Sequence, residues 1–353
     1  MALSAEEQEQ YNRHLILDEV GLSGQEKLKT ASVLVIGAGG LGCPILSYLS
    51  AAGVGRIGIV DHDAVDQSNL QRQVLYAQSD ISTPKVEAAK KKLSRLNPFV
   101  KFEVYNEKLT CLNAVSIFSK YDIVVDGSDN FPTRYLVNDA AILIGKPVVF
   151  GSVFKFEGQV SVFNYKGGPS YRCLYPSPPS EHEAPNCSEI GVLGVLPGII
   201  GSLQANEVIK IICGIGEVLS GKLLIFDALS LNQSVLRFTK NKDMKIERLE
   251  DSYERFCGVP QLTEITLTAL KASGSNYHLL DVRTDLERES EHIGGMHIPL
   301  HELASRSHEV LSDEPIVVYC KAGVRSAQAI QFLKASGFKN QLINLKGGLF
   351  YSK

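Results

Sequence analysis

The sequence predicts an α/β protein: a doubly wound sheet domain, parallel or mixed, followed by a smaller α/β domain. Three observations predict this. Strands such as Ser32-Val-Leu-Val-Ile36 are continuously apolar, as suits a sheet covered on both faces. They alternate with helical stretches, which implies βαβ units. The chain has 353 residues, room for two domains at roughly 150 residues each, and the βα pattern starts afresh near Gln261.

The elements come in this order. Residues 5–30 are helical and polar, with apolar positions at Leu15, Ile16, Leu17, Val20 and Leu22. The strand 32–36 ends in glycines and leads into a helix over 41–52. A second strand, Arg56-Ile-Gly-Ile-Val60, ends in Asp61. Thr83-Pro84 reads as cap and first turn of a helix over 84–96. Strands at 102–105, 123–126 and 147–150 continue the pattern. Residues 157–164 then alternate with period two, as an antiparallel or mixed strand does. Residues 176–189, rich in Pro, Ser and Glu, read as an exposed loop. The apolar tract 190–215 is interrupted by Gln204, Asn206, Glu207 and Lys210, so it reads as a core helix over 191–213 and not as a membrane span. A late strand covers 222–226. The predicted domains are 1–240 and 263–353, joined by a charged linker over 241–262. In the second, strands are expected at 278–281, 316–319 and 341–344, and a helix at 326–335.

Composition excludes several classes. The 36 basic and 39 acidic residues leave a net charge of −3, and no basic run exceeds Lys90-Lys91-Lys92. Nucleic acid is therefore not an expected partner, and neither is a membrane. Seven scattered cysteines do not form a disulfide framework. A reducing, cytoplasmic setting is expected. The acidic first ten residues do not resemble a signal peptide.

The first chemical motif is Gly37-Ala38-Gly39-Gly40-Leu41-Gly42, after a strand and before a helix. Glycines there let the backbone approach phosphate, and the helix start attracts its charge. A nicotinamide dehydrogenase would use the same turn, with Asp61 on a ribose about 20 residues on. The residues downstream favour another chemistry: Asp61 and Asp63, then Ser68-Asn69-Leu70-Gln71-Arg72-Gln73, Lys85, and Asp126-Gly-Ser-Asp129-Asn130. Arg72 and Lys85 can neutralise a triphosphate, and Asp129 suits Mg²⁺. Nucleotidyl transfer needs such a set and hydride transfer does not.

With Tyr11-Asn12-Arg13 near the start, these motifs in this order resemble the ThiF/MoeB enzymes, relatives of ubiquitin-activating enzymes. The resemblance covers about residues 5–240 and implies a Rossmann-like fold. It implies ATP-dependent adenylation of the C-terminal glycine of a small ubiquitin-fold sulfur carrier ending in Gly-Gly. It also implies that Gly37, Gly39, Gly40, Asp61, Asp63, Ser68, Asn69, Leu70, Gln71, Arg72, Lys85, Asp129 and Asn130 surround ATP and its magnesium. Arg13 would act across a homodimer on the partner's nucleotide. The attacking carboxylate is already ionised at neutral pH, so no general base is required.

Cys187 lies in the Pro- and Glu-rich loop ahead of the core helix. In the family a cysteine here takes part in sulfur or acyl transfer in some members. Many members also hold a structural zinc on two C-x-x-C pairs. Here one sulfur of each pair is replaced, by Ser170 opposite Cys173 and by Glu254 opposite Cys257. Zinc is therefore not expected.

The second motif is Cys320-Lys321-Ala322-Gly323-Val324-Arg325-Ser326, again on a strand-to-helix turn. Inward N–H groups and a helix start favour a thiolate or persulfide anion. With Leu280-Asp-Val-Arg283 and Glu291-His-Ile-Gly-Gly-Met-His-Ile-Pro299, it resembles the active loop of rhodanese sulfurtransferases over about residues 262–350. A tyrosine-phosphatase loop needs one more residue than the four between Cys320 and Arg325. The usual Gly-His-Ile-Pro-Gly-Ala is altered here to Glu-His-Ile-Gly-Gly-Met.

The two motifs point to one reaction sequence. Adenylation activates a carbonyl, and a persulfide on Cys320, loaded by a donor such as a cysteine desulfurase, attacks it to give a thiocarboxylate. Molybdopterin synthesis, thiazole synthesis and tRNA thiolation all use such enzymes. The competing readings are an NAD-dependent oxidoreductase, a phosphatase-like second domain and a non-catalytic binder of a ubiquitin-fold partner.

Overall fold

A computed structural model describes residues 2–179, 191–259, 262–273, 277–310 and 314–349. The chain forms two compact units, Met1–Gly258 and Val259–Lys353.

The first unit is built on an eight-stranded sheet. Its strands are β1 (Ser32–Ile36), β2 (Arg56–Val60), β3 (Lys101–Tyr105), β4 (Ile123–Asp126), β5 (Val148–Phe154), β6 (Glu157–Phe163), β7 (Lys222–Asp227) and β8 (Gln233–Arg237). The order is β3-β2-β1-β4-β5-β6-β7-β8. The first five run parallel, whereas β6, β7 and β8 add antiparallel. Every residue of β1 is buried, as its unbroken apolar run requires.

Two apolar clusters sandwich this sheet. One joins Val33 and Val35 of β1 to the helices Gly42–Ala51 and Val195–Cys213. The other joins Leu34 and Ile36 to Tyr121, Tyr135, Tyr171 and Tyr253. Among the described residues, Val195–Cys213 is the one helix long and apolar enough to cross a membrane. Here Leu196, Ile200, Ala205 and Val208 instead pack in the core, and Gln204 Nε2 donates to the Asp126 carbonyl at 2.8 Å.

Several elements differ from expectation. The helix after Pro84 spans Lys85–Leu96, and Pro84, not Thr83, is its N-cap. The core helix starts at Val195 rather than 191, and the Leu193 N–H ahead of it donates to the Lys155 carbonyl. The segment expected as a linker, 241–262, supplies Tyr253 to the first unit's core, with Phe256 and Cys257 packed against it. Of the loop expected over 176–189, residues from 180 on lie outside the described residues.

The second unit has five parallel strands: β9 (Thr263–Ile265), β10 (His278–Asp281), β11 (Met296–His297), β12 (Ile316–Tyr319) and β13 (Leu342–Leu345). Their order is β11-β10-β12-β13-β9. The helix Val324–Ala335 packs Ala329, Ile330 and Leu333 beside Val318 and Leu342.

Candidate active sites

In the first unit the chain reverses direction across the sheet between β1 and β4, the place where doubly wound folds bind ligands. Gly37 leaves β1 at φ +87°, and a Cβ there would meet the Gly127 carbonyl oxygen at 2.9 Å. Only glycine lets the loops after β1 and β4 approach so closely. Three side chains shape the turn. Asp61 Oδ2 accepts from the Ala38 N–H at 2.8 Å, and Oδ1 accepts from the Asp63 N–H at 2.8 Å. The Tyr76 hydroxyl donates to the Ala38 carbonyl at 2.8 Å. The Arg72 side chain lies over Gly40, with Cγ 3.6 Å from where a Cβ would stand.

Lys85 opens its helix with a buried side chain, and Nζ donates to Asp63 Oδ2 at 2.9 Å. Burial works against this ammonium, but the carboxylates of Asp61, Asp63 and Asp129 together hold its pKa above the ordinary lysine value. Burial in turn raises the Asp61 carboxyl against the pull of Lys85. Asp129 is exposed beyond the end of β4, where Asn130 Nδ2 approaches its Oδ1 at 3.4 Å. Asn130 caps the helix Phe131–Leu143 by accepting from the Thr133 N–H at 2.9 Å.

The segment after Asp63 is ordered by its own polar contacts. Asp66 caps the short turn Gln67–Asn69 by accepting from the Ser68 N–H at 2.8 Å. Arg72 Nη1 donates to the Ser68 carbonyl at 3.1 Å. Gln71 is exposed, with its carbonyl against Gly194, and Leu70 packs on the core. Gly39 lies beside Gln73, which is buried with Oε1 unpartnered. Sequence reasoning gives Gln73 no role of its own; its place at the end of the Ser68–Gln73 motif is the available signal. Arg13 is exposed on the helix Asn12–Leu15. Cys187 lies outside the described residues.

The half-sites Ser170/Cys173 and Glu254/Cys257 do not fit a tetrahedral thiolate site. Lys108 Nζ donates to Glu254 Oε1 at 2.6 Å. Cys173 Sγ accepts from the Ser170 and Asn241 N–H groups at 3.4 and 3.3 Å. Burial pushes the Cys257 thiol up to about 12. A buried cation holds this region instead. Arg172 donates to both Asp139 oxygens at 2.8 and 2.6 Å, and its guanidinium carbon lies 4.5 Å from the Phe256 ring centroid. The Tyr253 hydroxyl donates to the same carboxylate at 2.7 Å.

In the second unit Cys320 follows β12, buried at the foot of the helix Val324–Ala335. Its sulfur accepts from the Gly323 N–H at 3.1 Å. Gly323 holds φ +89°, and its Cβ position would lie 3.1 Å from the Gly347 nitrogen. The Ser326 hydroxyl stands 3.4 Å from Cys320 Sγ and 2.6 Å from Asn344 Oδ1. Lys321 is exposed, Ala322 follows it, and Val324 is half exposed at the helix start. Arg325 folds back onto Glu287, a residue of the short helix Asp285–Ser290 to which the sequence alone assigns no role at the loop. The Cys320 sulfur thus meets one backbone N–H, from Gly323, and the Ser326 hydroxyl at the start of a helix.

The ThiF family model matches residues 11–247. The chain belongs to the ThiF family. A rhodanese-like domain model matches residues 266–351, over the Cys320 loop. A probable adenylyltransferase/sulfurtransferase MoeZ of Mycobacterium tuberculosis is 44% identical, covering 99% of this chain and 93% of that protein. A sulfur carrier protein adenylyltransferase of Thermus thermophilus is 51% identical over 73% of this chain and all (100%) of that protein. A crystal structure of E. coli MccB with MccA-N7isoASN matches at TM-score 0.61 and 20% identity, covering 69% of this chain and 75% of that one, which shows the shared fold. This ThiF-family chain is an adenylyltransferase and sulfurtransferase; the NAD-dependent and non-catalytic readings are not favoured.

Proposed function

We propose that the first unit adenylates the C-terminal carboxylate of a small ubiquitin-fold sulfur carrier ending in Gly-Gly, and that Cys320 then delivers sulfur to it. The observation that carries the reading is the convergence of the glycine turn, Lys85, Asp61 and Asp129 at the β1/β4 reversal, in a chain that also holds the Cys320 loop. The Thermus relative's name supports the carrier as substrate.

The chemistry follows from the residue types. A carrier carboxylate oxygen attacks the α-phosphorus of ATP, and the bond to pyrophosphate breaks. Two anions must be brought together, so cations do the work. Arg72 and Lys85 are the proposed phosphate contacts. The turn at Gly37, Gly39 and Gly40 supplies backbone N–H groups, and Asp61 holds that turn. The segment Ser68, Asn69, Leu70, Gln71 walls the nucleotide, with Asp63 holding Lys85 until phosphate arrives. Asp129, exposed and with Asn130 beside it, fits a hard cation; Mg²⁺ there would offset charge on the phosphoryl oxygens.

A persulfide terminal sulfur on Cys320 attacks the adenylated carbonyl and AMP leaves, giving an acyl disulfide. A thiolate, for which Cys187 is proposed, attacks the Cys320 sulfur of that bond. The carrier departs as a thiocarboxylate and a Cys187–Cys320 disulfide remains, reopened by a dithiol reductant. The persulfide is supplied by a donor such as a cysteine desulfurase, in a reducing cytoplasmic setting. A homodimer is proposed from the exposed Arg13 and its neighbours Ile16, 61% exposed, and Leu17, 47% exposed. ATP–pyrophosphate exchange that depends on an added Gly-Gly-tailed carrier tests the first step. Absence of exchange with every such carrier overturns it.

A further inference from the structure

The arginines around the Cys320 loop are all committed to carboxylates. Arg325 Nη1 donates to Glu287 Oε2 and Nη2 to Glu287 Oε1, each at 2.7 Å, a two-point pair. Arg283 donates through Nε and Nη2 to the two oxygens of Asp281, at 2.9 and 2.7 Å. Arg288 turns its Nη1 to the same Asp281, at 3.4 Å, and its Nη2 to the Gly295 carbonyl at 2.8 Å. The loop therefore offers the Gly323 N–H to the sulfur, while Glu287 takes both terminal nitrogens of the loop's own guanidinium.

Sulfur donors divide by what they carry beside the transferable sulfur. Thiosulfate brings a sulfonate head with its negative charge, which must be held next to Cys320 during attack. A thiol persulfide brings no second anionic head. We infer that Glu287 is a specificity-determining residue: by occupying Arg325 it turns the loop away from oxyanion sulfur donors and toward persulfides. The inference rests on Cys320 being the sulfur-accepting residue.

Both donors load the same atom. The Cys320 thiolate attacks the outer sulfur of thiosulfate; the S–S bond breaks, sulfite leaves and Cys320 carries the persulfide. With a thiol persulfide the same bond forms and the donor leaves as its thiolate. Cyanide then takes the terminal sulfur as thiocyanate and returns the Cys320 thiolate.

Glu287→Gln is the informative change, because glutamine also serves at the third position of a capping box and preserves the Thr284 contacts. Removing the competing charge frees Arg325 for the sulfonate, so the KM for thiosulfate falls about tenfold, the value of one charge-assisted contact. The KM for a small persulfide with an uncharged tail moves far less, and ATP–pyrophosphate exchange is unchanged. In an Arg325→Gln background the same substitution gives no gain. Full-length protein is used throughout, with Glu287→Ala as the second variant.

An unchanged or higher thiosulfate KM in both Glu287 variants overturns the inference. So does an equal gain with the uncharged persulfide, or a gain that survives without Arg325. Failure of wild-type Cys320 to take sulfur from any donor is a different result: it removes the sulfurtransferase reading first, and this inference with it.

Discussion

Lys85 Nζ lies 2.9 Å from Asp63 Oδ2 although only 7% of the lysine side chain is exposed and half of the aspartate's (51%) is. A buried ammonium tied to a wet carboxylate is a cation held ready for a stronger anion. Its partner can swing into solvent at little cost when a triphosphate arrives.

Lys85→Met is expected to slow carrier-dependent ATP–pyrophosphate exchange by about a hundredfold to a thousandfold, the loss typical of one positioned electrostatic contact. Asp63→Asn should cost far less. Steady-state exchange rates for the two variants check the order, and equal losses would contradict it.

Cys320→Ser separates the two chemistries. Exchange in the first unit should continue at the wild-type rate while carrier thiocarboxylate no longer forms. Thiocarboxylate formation by this variant at the normal rate would move the sulfur-carrying role to another cysteine.

Arg172→Ala should lower the stability of the first unit by about 3–5 kcal/mol, because it leaves Asp139 charged and buried. Thermal melting of the full chain checks this. A chelator should not produce the same loss if the Arg172–Asp139 pair is what joins the elements around Cys173 and Cys257. A melting transition that drops on chelation would contradict that account.

The second unit should show a pH dependence set by Glu287. The hydrogen bonds from Arg325 pull its carboxyl down to about 2 from the ordinary 4.5. A carboxyl depressed on folding adds stability that is complete above its unfolded value and is lost as pH falls through the folded one. The second unit should therefore weaken between about pH 4.5 and 2, and Glu287→Gln should flatten that limb. Unfolding followed by a probe in the second unit is the measurement; an unchanged acid limb would contradict it.

Much of this is legible in the sequence, and the reasons for the rest are physical. The strands β1, β2 and β4 are legible because each is an apolar run stopped by glycine or aspartate. In contrast β8 is not: all five of its residues are exposed, so no inside–outside contrast marks it. The three residues of β9 and the two of β11 are too short for any period. The adenylation motifs are legible as spacings along the chain. Tyr76 on Ala38, Gln204 on Asp126 and Glu287 on Arg325 are not, because those contacts join residues 38, 78 and 38 apart by folding alone. Arg172 is hidden for the same reason: its partner Asp139 lies 33 residues upstream.

The most direct test of the central claim is the mass of the carrier's C-terminus after incubation with this protein, ATP, magnesium, a persulfide donor and a dithiol. Transfer through both sites predicts a gain equal to exchanging one oxygen for sulfur, dependent on both Lys85 and Cys320. A carrier that gains that sulfur without ATP, or that becomes adenylated but never acquires sulfur, would contradict it.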